Sequence, residues 1–493
     1  MRNLRQSLTI TFFASNGATV VNFIVAIILA RLLTPAEIGI FSIAYVLVSV
    51  AHVFRDFGVT TYLVREKNLT PEKIRSISGV LFATSWATAI ILYAASGVAA
   101  AYYREPGVKR VVEVLALGFV FIPFGAITHS LLTRELKARE QAIASVLGVS
   151  VYAISSVALA WFGFSYMTMA WASLLNIIAT ALAYLPFRPK DAPWLPSLRG
   201  WGQVVNFGTG VLFSNAVKEL NNSLPDFALG RLASPHAVGI VSRANSTSNL
   251  FNKITEPTVS YAVLPVLSRK YHEGESITDP MARAIANLTG LAWPALLGTA
   301  IFAEPIILFL FGEQWRESIP LVRIFCAIAF SNVPFTFTVQ ALQATGRPYL
   351  AALPGTFQLM FSIIAILTMF DQTLDSFAQA LLAANVATVP IYLWLQHNRL
   401  GFPIGKLLAS LWISASLTLV MAAMLMGLAW LIGDLPSWKQ VLLAVPTSGL
   451  VWLAVAVALH HPVRQELEVL GKSRLFADEN GRKPNGATFL KRN

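Results

Sequence analysis

Residues 30–44 read ARLLTPAEIGIFSIA, and residues 230–244 read GRLASPHAVGIVSRA. The second stretch repeats the Arg, Leu, Pro, Gly, Ile, Ser and final Ala of the first at a constant offset of 200 positions. The same offset pairs the acidic Asp56 with the acidic Glu256. Arg, Pro and Gly are not default residues of an apolar hairpin, so the match indicates a duplicated unit of two helices and the turn between them.

The composition identifies the solvent around these helices. Hydrophobic residues make up 55% of the chain and charged residues 13%, with a mean hydropathy of +0.61. A soluble domain carries about 25% charged residues, and the apolar runs here reach the length of about 20 residues that crosses a bilayer core. The sequence therefore predicts an all-α polytopic membrane protein. The net charge of +12 is explained by basic cytoplasmic loops, and no nucleic-acid partner is expected.

The apolar runs predict about fourteen transmembrane helices. They cover residues 8–32, 38–63, 76–102, 110–132, 141–162, 165–187, 204–228, 238–263, 283–310, 319–343, 349–369, 376–397, 406–432 and 440–460. Most Lys and Arg residues outside these spans fall on the side that holds both termini, which predicts that both termini are cytoplasmic. The basic start MRNLRQ has no small-residue cleavage site behind it, which indicates a retained first helix.

Six spans separate the two copies, so both copies enter the membrane from the same side. This predicts two six-helix lobes related by a pseudo-twofold axis along the membrane normal, as in some secondary transporters. The predicted parts are an N-terminal lobe at 1–200, a second lobe at 201–400, two additional helices at 401–462, and a basic cytoplasmic tail without apolar periodicity at 463–493, expected to be disordered. Pro35 and Pro235 are expected to begin the second helix of each lobe. Gly39 and Gly239 would allow that helix to pack closely against a neighbour.

Polar residues inside the predicted spans are the candidate functional residues. Two sets follow one helical face each: Asn215, Lys218, Asn222 and Asp226 in the seventh span, and Asn245, Asn249, Lys253 and Glu256 in the eighth. Further charges inside spans are Arg55, Asp56, Glu219 and Arg243. A charge at the centre of a membrane helix costs about 2.5–3.5 kcal/mol on insertion scales, so these groups must pair, reach the interface or line a wet cavity.

For several of these residues both a structural and a functional role are open. Arg243 and Asp226 could reach the membrane interface, and Arg55 and Asp56 could form a structural ion pair. The asparagines Asn222 and Asn249 could serve as contacts between helices. Lys218 and Lys253 favour a cavity role, in which they would attract an anion such as phosphate.

The acidic residues and the missing motifs bear on the chemistry. Asp56, Glu256, Asp226 and Glu219 could form salt bridges or bind a coupling Na⁺ or H⁺, and no other cofactor is expected. The sequence contains no phosphate-binding G-x-x-x-x-G-K-[ST] motif, no H-E-x-x-H motif, no paired-Cys metal site and no nucleophile elbow. These observations argue against an enzyme and favour passive or ion-coupled transport.

Several stretches together resemble a known family. They are LARLLTPAEIGIFSIA, RDFGVTTYLVRE, PDFALGRLASPHAVGIVSRA, VLPVLSRKY and ATGRPYLAAL. In order and spacing, over about residues 5–460, they resemble the polysaccharide transporter family. That family includes the O-antigen, colanic acid and exopolysaccharide flippases of the multidrug/oligosaccharidyl-lipid/polysaccharide exporter superfamily.

The resemblance implies twelve core helices in two lobes plus two more, around a central cavity that opens alternately to each side. The implied cargo is an undecaprenyl-diphosphate-linked oligosaccharide, moved across a bacterial inner membrane for lipopolysaccharide, capsule or exopolysaccharide biosynthesis. The motif-matching polar positions are Asp56, Asp226 and Arg243, whereas Lys218 and Lys253 are candidates from their helix positions. Membrane lipids, a polymerase and glycosyltransferases of the same pathway are the further candidate partners.

Other functions remain open at this point. An ion-coupled multidrug exporter of the same superfamily is the nearest alternative, although such exporters have twelve helices. A membrane-embedded polymerase or ligase would need a long external loop with catalytic polar residues, and no predicted outer loop is long enough. A scaffold role in a biosynthetic complex is a third alternative.

Overall fold

The computed structural model describes residues 2–56, 63, 66, 69–189, 193, 196–197, 201–250, 269–270, 273, 275–345, 347–459 and 461–464, of which 2–13, 201–215, 344 and 348 are described as backbone only. In these residues all regular secondary structure is helical. The all-α membrane fold class predicted from the sequence is confirmed. The predicted tail beyond residue 464 lies outside the described residues.

The helices follow the predicted spans closely. The first 200 residues contain α1 Arg2–Leu32, α2 Pro35–Asp56, α3 Pro71–Tyr103, α4 Pro106–Arg134, α5 Ala138–Trp161 and α6 Met167–Tyr184. The next 200 contain α7 Trp201–Leu232, α8 Pro235–Ser248, α9 Thr278–Ile301, α10 Ala303–Leu310, α11 Ser318–Asn332, α12 Thr336–Ala344, α13 Pro348–Met369 and α14 Leu374–Trp394. The last two are α15 Ile404–Ile432 and α16 Ser437–Ala458. Short 3₁₀ turns lie at Leu185–Phe187, Glu313–Trp315 and Val333–Phe335, and a π-helical turn at Leu395–Arg399 extends α14.

Twelve helical segments in the described part of the chain are long and apolar enough to cross a membrane. The two predicted spans outside this set are 204–228 and 238–263. The first lies on α7, which is long but interrupted by charged and amide side chains. The second is described only as far as residue 250. The count of fourteen therefore stays a prediction.

The second helix of each copy begins as the sequence predicted. Pro35 and Pro235 are the first residues of α2 and α8, where a missing backbone N–H costs no hydrogen bond. Thr34 and Glu37 form a reciprocal cap, because Glu37 Oε2 accepts from the Thr34 backbone N–H at 2.7 Å and Thr34 Oγ1 accepts from the Glu37 N–H at 3.3 Å. At the second copy Ser234 caps α8 through the Ala237 N–H at 3.2 Å.

The pattern of helix packing repeats along with the sequence. In the first 200 residues α1 packs on α5, α2 on α4, α3 on α4, α4 on α6, and α5 on α6. In the next 200 residues α7 packs on α13, α8 on α11, α9 on α11, α11 on α14, and α13 on α14. Each pairing in the first set has its counterpart in the second. We refer to residues 1–200 and 201–400 as the first and second halves; the lobe and domain boundaries themselves stay predictions.

The last two helices attach to the second half. α15 packs along α9, and α16 packs against α10 and α15. A buried polar cluster ties them together: Thr289 donates to Ser414 Oγ at 2.7 Å, and Ser414 lies 3.2 Å from His461 Nε2. His461 is fully buried and leaves room only for glycine at position 290, where a Cβ would lie 2.2 Å from the imidazole. The segment after α16 is thereby pinned between α9 and α15.

Candidate functional site

The two copies of the repeated turn contact each other directly. A Cβ atom on Gly39 would lie 1.7 Å from the carbonyl oxygen of Pro235, and one on Gly239 would lie 2.0 Å from the carbonyl oxygen of Pro35. The contact is reciprocal, as it is between surfaces related by a two-fold axis. The close packing predicted for the two glycines is confirmed, and α2 and α8 meet backbone to backbone. We call this end of the bundle, which holds residues 30–44 and 230–244, the turn end.

The arginine that follows position 30 or 230 reaches across to the opposite half in both copies. Arg31 Nε donates to the carbonyl oxygen of Leu310 at 3.0 Å, and its Nη2 donates to the carbonyl of Phe309. Arg231 places its guanidinium 5.4 Å from the ring centre of Tyr102, within cation–π distance. Both duplicated arginines therefore contact the opposite half, Arg31 through hydrogen bonds and Arg231 through an aromatic ring.

A tryptophan completes the closure of the turn end. Trp315 is fully buried and donates its indole N–H to the carbonyl oxygen of Ala30 at 2.8 Å. The neighbouring Gln314 donates to the same oxygen at 2.6 Å. These two donors satisfy a carbonyl near the last turn of α1, where intrahelical partners run out. The described residues thus close the boundary between the halves at the turn end.

Farther from the turn end, α7 of the second half packs on α2 of the first. The hydroxyls of Ser49 and Ser223 lie 3.2 Å apart, and Ser223 also lies 3.2 Å from Glu219 Oε1. Glu219 is close enough to Tyr45 to act on it electrostatically. Glu219, a sequence-predicted site residue, is therefore part of a polar contact across the boundary.

The opposite packed face of α7 lies on α13. Asn221 donates to the carbonyl oxygen of Gly355 at 2.8 Å, and a Cβ on Gly355 would meet Val217 at 3.1 Å. Val217 and Asn221 lie four residues apart and share one side of the helix. α2 and α13 therefore cover two sides of α7, and the two stripes between these sides are exposed.

The two exposed stripes of α7 differ in chemistry. One consists of Lys218 and Asn222, four residues apart, and the other of Leu220 and Phe227, seven residues apart; all four are exposed. An apolar stripe suits lipid, whereas an exposed Lys and Asn suit a water-filled space. Leu229 lies farther along the same face of α7, toward the turn end, and is fully buried. The polar stripe therefore ends where the halves close.

Arg55 and Asp56 lie at the opposite end of α2 from the repeated turn. Arg55 is buried and Asp56 half-exposed, and they form an ion pair of 3.0 Å. Arg55 also lies 3.5 Å from His52 Nδ1, and its backbone carbonyl accepts from Thr84 at 3.1 Å. The pair belongs to the packing of the first half.

Arg243 and Asp226 lie toward the turn end. The Arg243 guanidinium is buried at 4.7 Å from the ring centre of Phe311 and 4.9 Å from that of Trp315, and its Nε has no hydrogen-bond partner in the described part of the chain. Asp226 is partly buried and close to Tyr103. Arg243 therefore supports the tryptophan that closes the turn end.

The remaining candidates lie in or near the undescribed segment after α8. Asn249 is partly buried and donates to Asn245 Oδ1 at 2.5 Å. Lys253 and Glu256 lie outside the described residues. Their roles, like the ligand roles of Lys218, Asn222 and Arg243, stay predictions.

Sequence reasoning missed the residues that close the turn end. Gln314 and Trp315 sit in a 3₁₀ turn far from both repeats in sequence, and nothing in their local pattern indicates a contact with α1. Arg31 and Arg231 carried a usable signal, because a charged residue repeated at the same offset in two apolar hairpins indicates an equivalent role.

The comparisons agree with this architecture. A family model described as polysaccharide biosynthesis protein matches residues 28–320. The chain is 23% identical over 338 residues to the succinoglycan biosynthesis transport protein ExoT of Rhizobium meliloti (strain 1021), covering 68% of each chain. It is 20% identical over 303 residues to the lipopolysaccharide biosynthesis protein WzxC of Escherichia coli (strain K12), covering 61% of this chain but only 62% of that relative.

Solved structures show the same fold. A lipid II flippase MurJ in an inward closed conformation aligns with a TM-score of 0.75 at 13% identity, covering 92% of this chain and 99% of that one. An inward-facing multidrug resistance transporter of the MATE family, from the MOP superfamily, aligns with a TM-score of 0.60 at 15% identity, covering 77% and 94%. The family resemblance found in the sequence is confirmed, and the chain is a multi-pass membrane protein.

Proposed function

The chain belongs to the polysaccharide biosynthesis protein family, and on that premise we propose that it moves a lipid-linked oligosaccharide across the bacterial inner membrane by alternating access. The proposed cargo is an undecaprenyl-diphosphate-linked oligosaccharide for lipopolysaccharide, capsule or exopolysaccharide biosynthesis. The names of ExoT and WzxC point to such pathways for those relatives. The role is transport rather than catalysis.

One observation carries this proposal: the halves close against each other at the turn end, while α7 exposes a polar stripe below that closure. The reciprocal contact of Gly39 and Gly239 holds one end shut, and Lys218 and Asn222 stand exposed on the side of α7 away from its apolar stripe. A polar space closed at one end is what one state of an alternating-access transporter requires. A Lys ammonium there would attract a diphosphate.

The two additional helices favour a lipid-linked cargo over a multidrug substrate. The flippase MurJ covers 92% of this chain, whereas the multidrug transporter covers 77%. With the predicted count of fourteen spans, α15 and α16 would be the two helices beyond the twelve expected of a multidrug exporter. An ion-coupled multidrug exporter is therefore the alternative that the experiment must test.

The test uses the purified chain in proteoliposomes. A fluorescent undecaprenyl-diphosphate-linked oligosaccharide is placed in one leaflet, and its arrival in the other is followed by quenching with an impermeant reagent. We expect transfer above that of protein-free vesicles, with Na⁺ and H⁺ gradients varied in separate runs to identify a coupling ion. Export of a cationic dye without movement of the lipid-linked sugar would replace the flippase by the multidrug alternative.

A further inference from the structure

A basic cavity lies at the opposite end of the second half from the turn end. It has a volume of about 300 Å³, and its lining includes Glu275, Ser276, Thr345, Arg347, Arg399 and Gly401. Cavities of about this size and larger hold small ligands. It is separate from the polar stripe of α7, and none of the residues proposed for transport lines it.

The chain builds this cavity from the ends of several helices. Gly401 has a left-handed backbone with φ +65°, which returns the chain so that Phe402 N–H donates to Gln396 at 2.9 Å. Phe402 is then buried beside Ile277 and Met281. This turn fixes Arg399 at the rim, where it is exposed to solvent.

The side chain of the second arginine, Arg347, is held by the backbone of Arg399. Arg347 donates through Nη1 to the carbonyl oxygen of Arg399, and its own N–H donates to Leu342 at 2.8 Å. The Arg399 guanidinium lies 5.1 Å from the ring centre of Trp394, which leaves its N–H edge available. Both guanidinium groups therefore border one cavity, and the contacts described here use only some of their five N–H donors.

The acidic residue in the cavity lining, Glu275, and the nearby Asp279 each pair with a lysine. Glu275 pairs with Lys270 at 2.6 Å, and Asp279 pairs with Lys406 at 2.7 Å. Within the described part of the chain neither Arg347 nor Arg399 forms an ion pair with a carboxylate. Two arginines and one carboxylate that is already paired with a lysine therefore line the cavity, and its charge is net positive.

The position of the cavity indicates which anion could fill it. Arg347 and Arg399 fall in segments that the distribution of charge predicts to be cytoplasmic. Trp394 and Tyr349, both exposed, are residues that favour the headgroup level of a membrane. Basic pockets between transmembrane helices on the cytoplasmic side bind anionic lipid headgroups.

We propose that the cavity at Arg347 and Arg399 binds the phosphate group of an anionic membrane lipid. The guanidinium groups match a phosphate, since each can donate two parallel N–H bonds. The Ser276 hydroxyl lies at the same cavity, where it accepts from the Thr278 N–H at 3.3 Å and keeps its own O–H as a further donor. The bound lipid would hold the ends of α9, α12 and α14 together, independently of what the protein transports.

The experiment measures binding of short-chain phosphatidylglycerol to the purified full chain in neutral detergent, with phosphatidylcholine as the uncharged comparison. We expect phosphatidylglycerol to bind and raise the melting temperature, and R399Q to weaken that binding about fivefold. R399Q keeps the backbone carbonyl that Arg347 uses, so folding should be retained. R347K is the second variant, because it keeps the charge and loses the planar donor pair.

R110Q is the matched control, because Arg110 is an exposed arginine near the start of α4 and far from the cavity in sequence. This variant should bind phosphatidylglycerol as the unaltered protein does. Equal binding of phosphatidylcholine, or unchanged affinity in a folded R399Q variant, would overturn the proposal. Equal binding of inorganic phosphate at the same concentration would replace the lipid site by a site for free anions. Lipid-linked sugar transport in R399Q reports separately on the proposed function.

Discussion

The hydroxyl oxygens of Ser42 and Ser242 lie 3.5 Å apart, so two residues at the same position of the duplicated sequence meet across the boundary between the halves. Contacts between equivalent residues are typical of surfaces related by a two-fold axis. Closer to the repeated turns, Gly39 packs against the carbonyl group of Pro235, and Gly239 packs against the carbonyl group of Pro35. The turn end is therefore the place where the halves can be held together or must come apart.

A disulfide between positions 42 and 242 tests whether the turn end must separate. The two serine side chains are close enough to be replaced by cysteines that could bond, and the native Cys326 is buried. We expect oxidised S42C/S242C to lose transport and to regain it after reduction. S42C alone is the control and should not respond to oxidant. Full transport by the oxidised double variant would show that the turn end does not open.

A bulky side chain at position 39 should disrupt the contact of α2 with α8. G39L would place atoms where the Pro235 carbonyl lies, and overpacking of this kind costs about 1–3 kcal/mol or more. We expect a lower melting temperature in detergent and greater access of thiol reagents to a cysteine at position 42. G97L is the matched control, because a Cβ on Gly97 meets no atom within 4 Å. Equal melting of the two variants would contradict the packing role.

Removing the ammonium of Lys218 should impair transport without unfolding the protein. A hydrogen bond to a charged group contributes about 1.5–3 kcal/mol, so K218A is expected to lower transport roughly tenfold or more. L220A, which alters the apolar stripe of the same helix, is the control and should transport normally. The measurement is sugar-lipid transfer in proteoliposomes with matched amounts of folded protein. Unimpaired K218A would remove Lys218 from the site.

Trp315 should contribute to closure in two separable ways. W315F retains a ring beside Arg243 but loses the hydrogen bond to Ala30, a loss of about 1 kcal/mol. W315A also empties a fully buried volume, and such changes cost about 3–5 kcal/mol. We expect the free energy of unfolding in detergent to fall in that order. An equal loss in both variants would mean that ring packing contributes nothing beyond the hydrogen bond.

The sequence predicted the parts of the fold that depend on local chemistry. Pro35 and Pro235 begin their helices because proline needs no N–H there. The glycines at 39 and 239 were correctly read as sites of close approach. Each of these features is encoded within a few residues of itself.

The environment of the charged residues could not be read in the same way. Arg243 contacts two aromatic rings, from residues about 70 positions away in sequence, and no local pattern specifies them. Lys218 and Glu219 are neighbours in sequence, yet Lys218 belongs to the exposed polar stripe, whereas Glu219 lies at the boundary with α2. Which side of α7 is covered depends on α2 and α13, so tertiary packing decides it.

The buried cluster of Thr289, Ser414 and His461 makes the second half larger than the first as a moving unit. The cluster connects α15 and the segment after α16 to α9 through hydrogen bonds. We therefore expect α15 and α16 to move together with the second half as one rigid unit. In the described part of the chain, the first half has no corresponding pair of additional helices. Any rocking about the turn end should therefore displace the first half more, relative to the surrounding lipid, than its heavier counterpart.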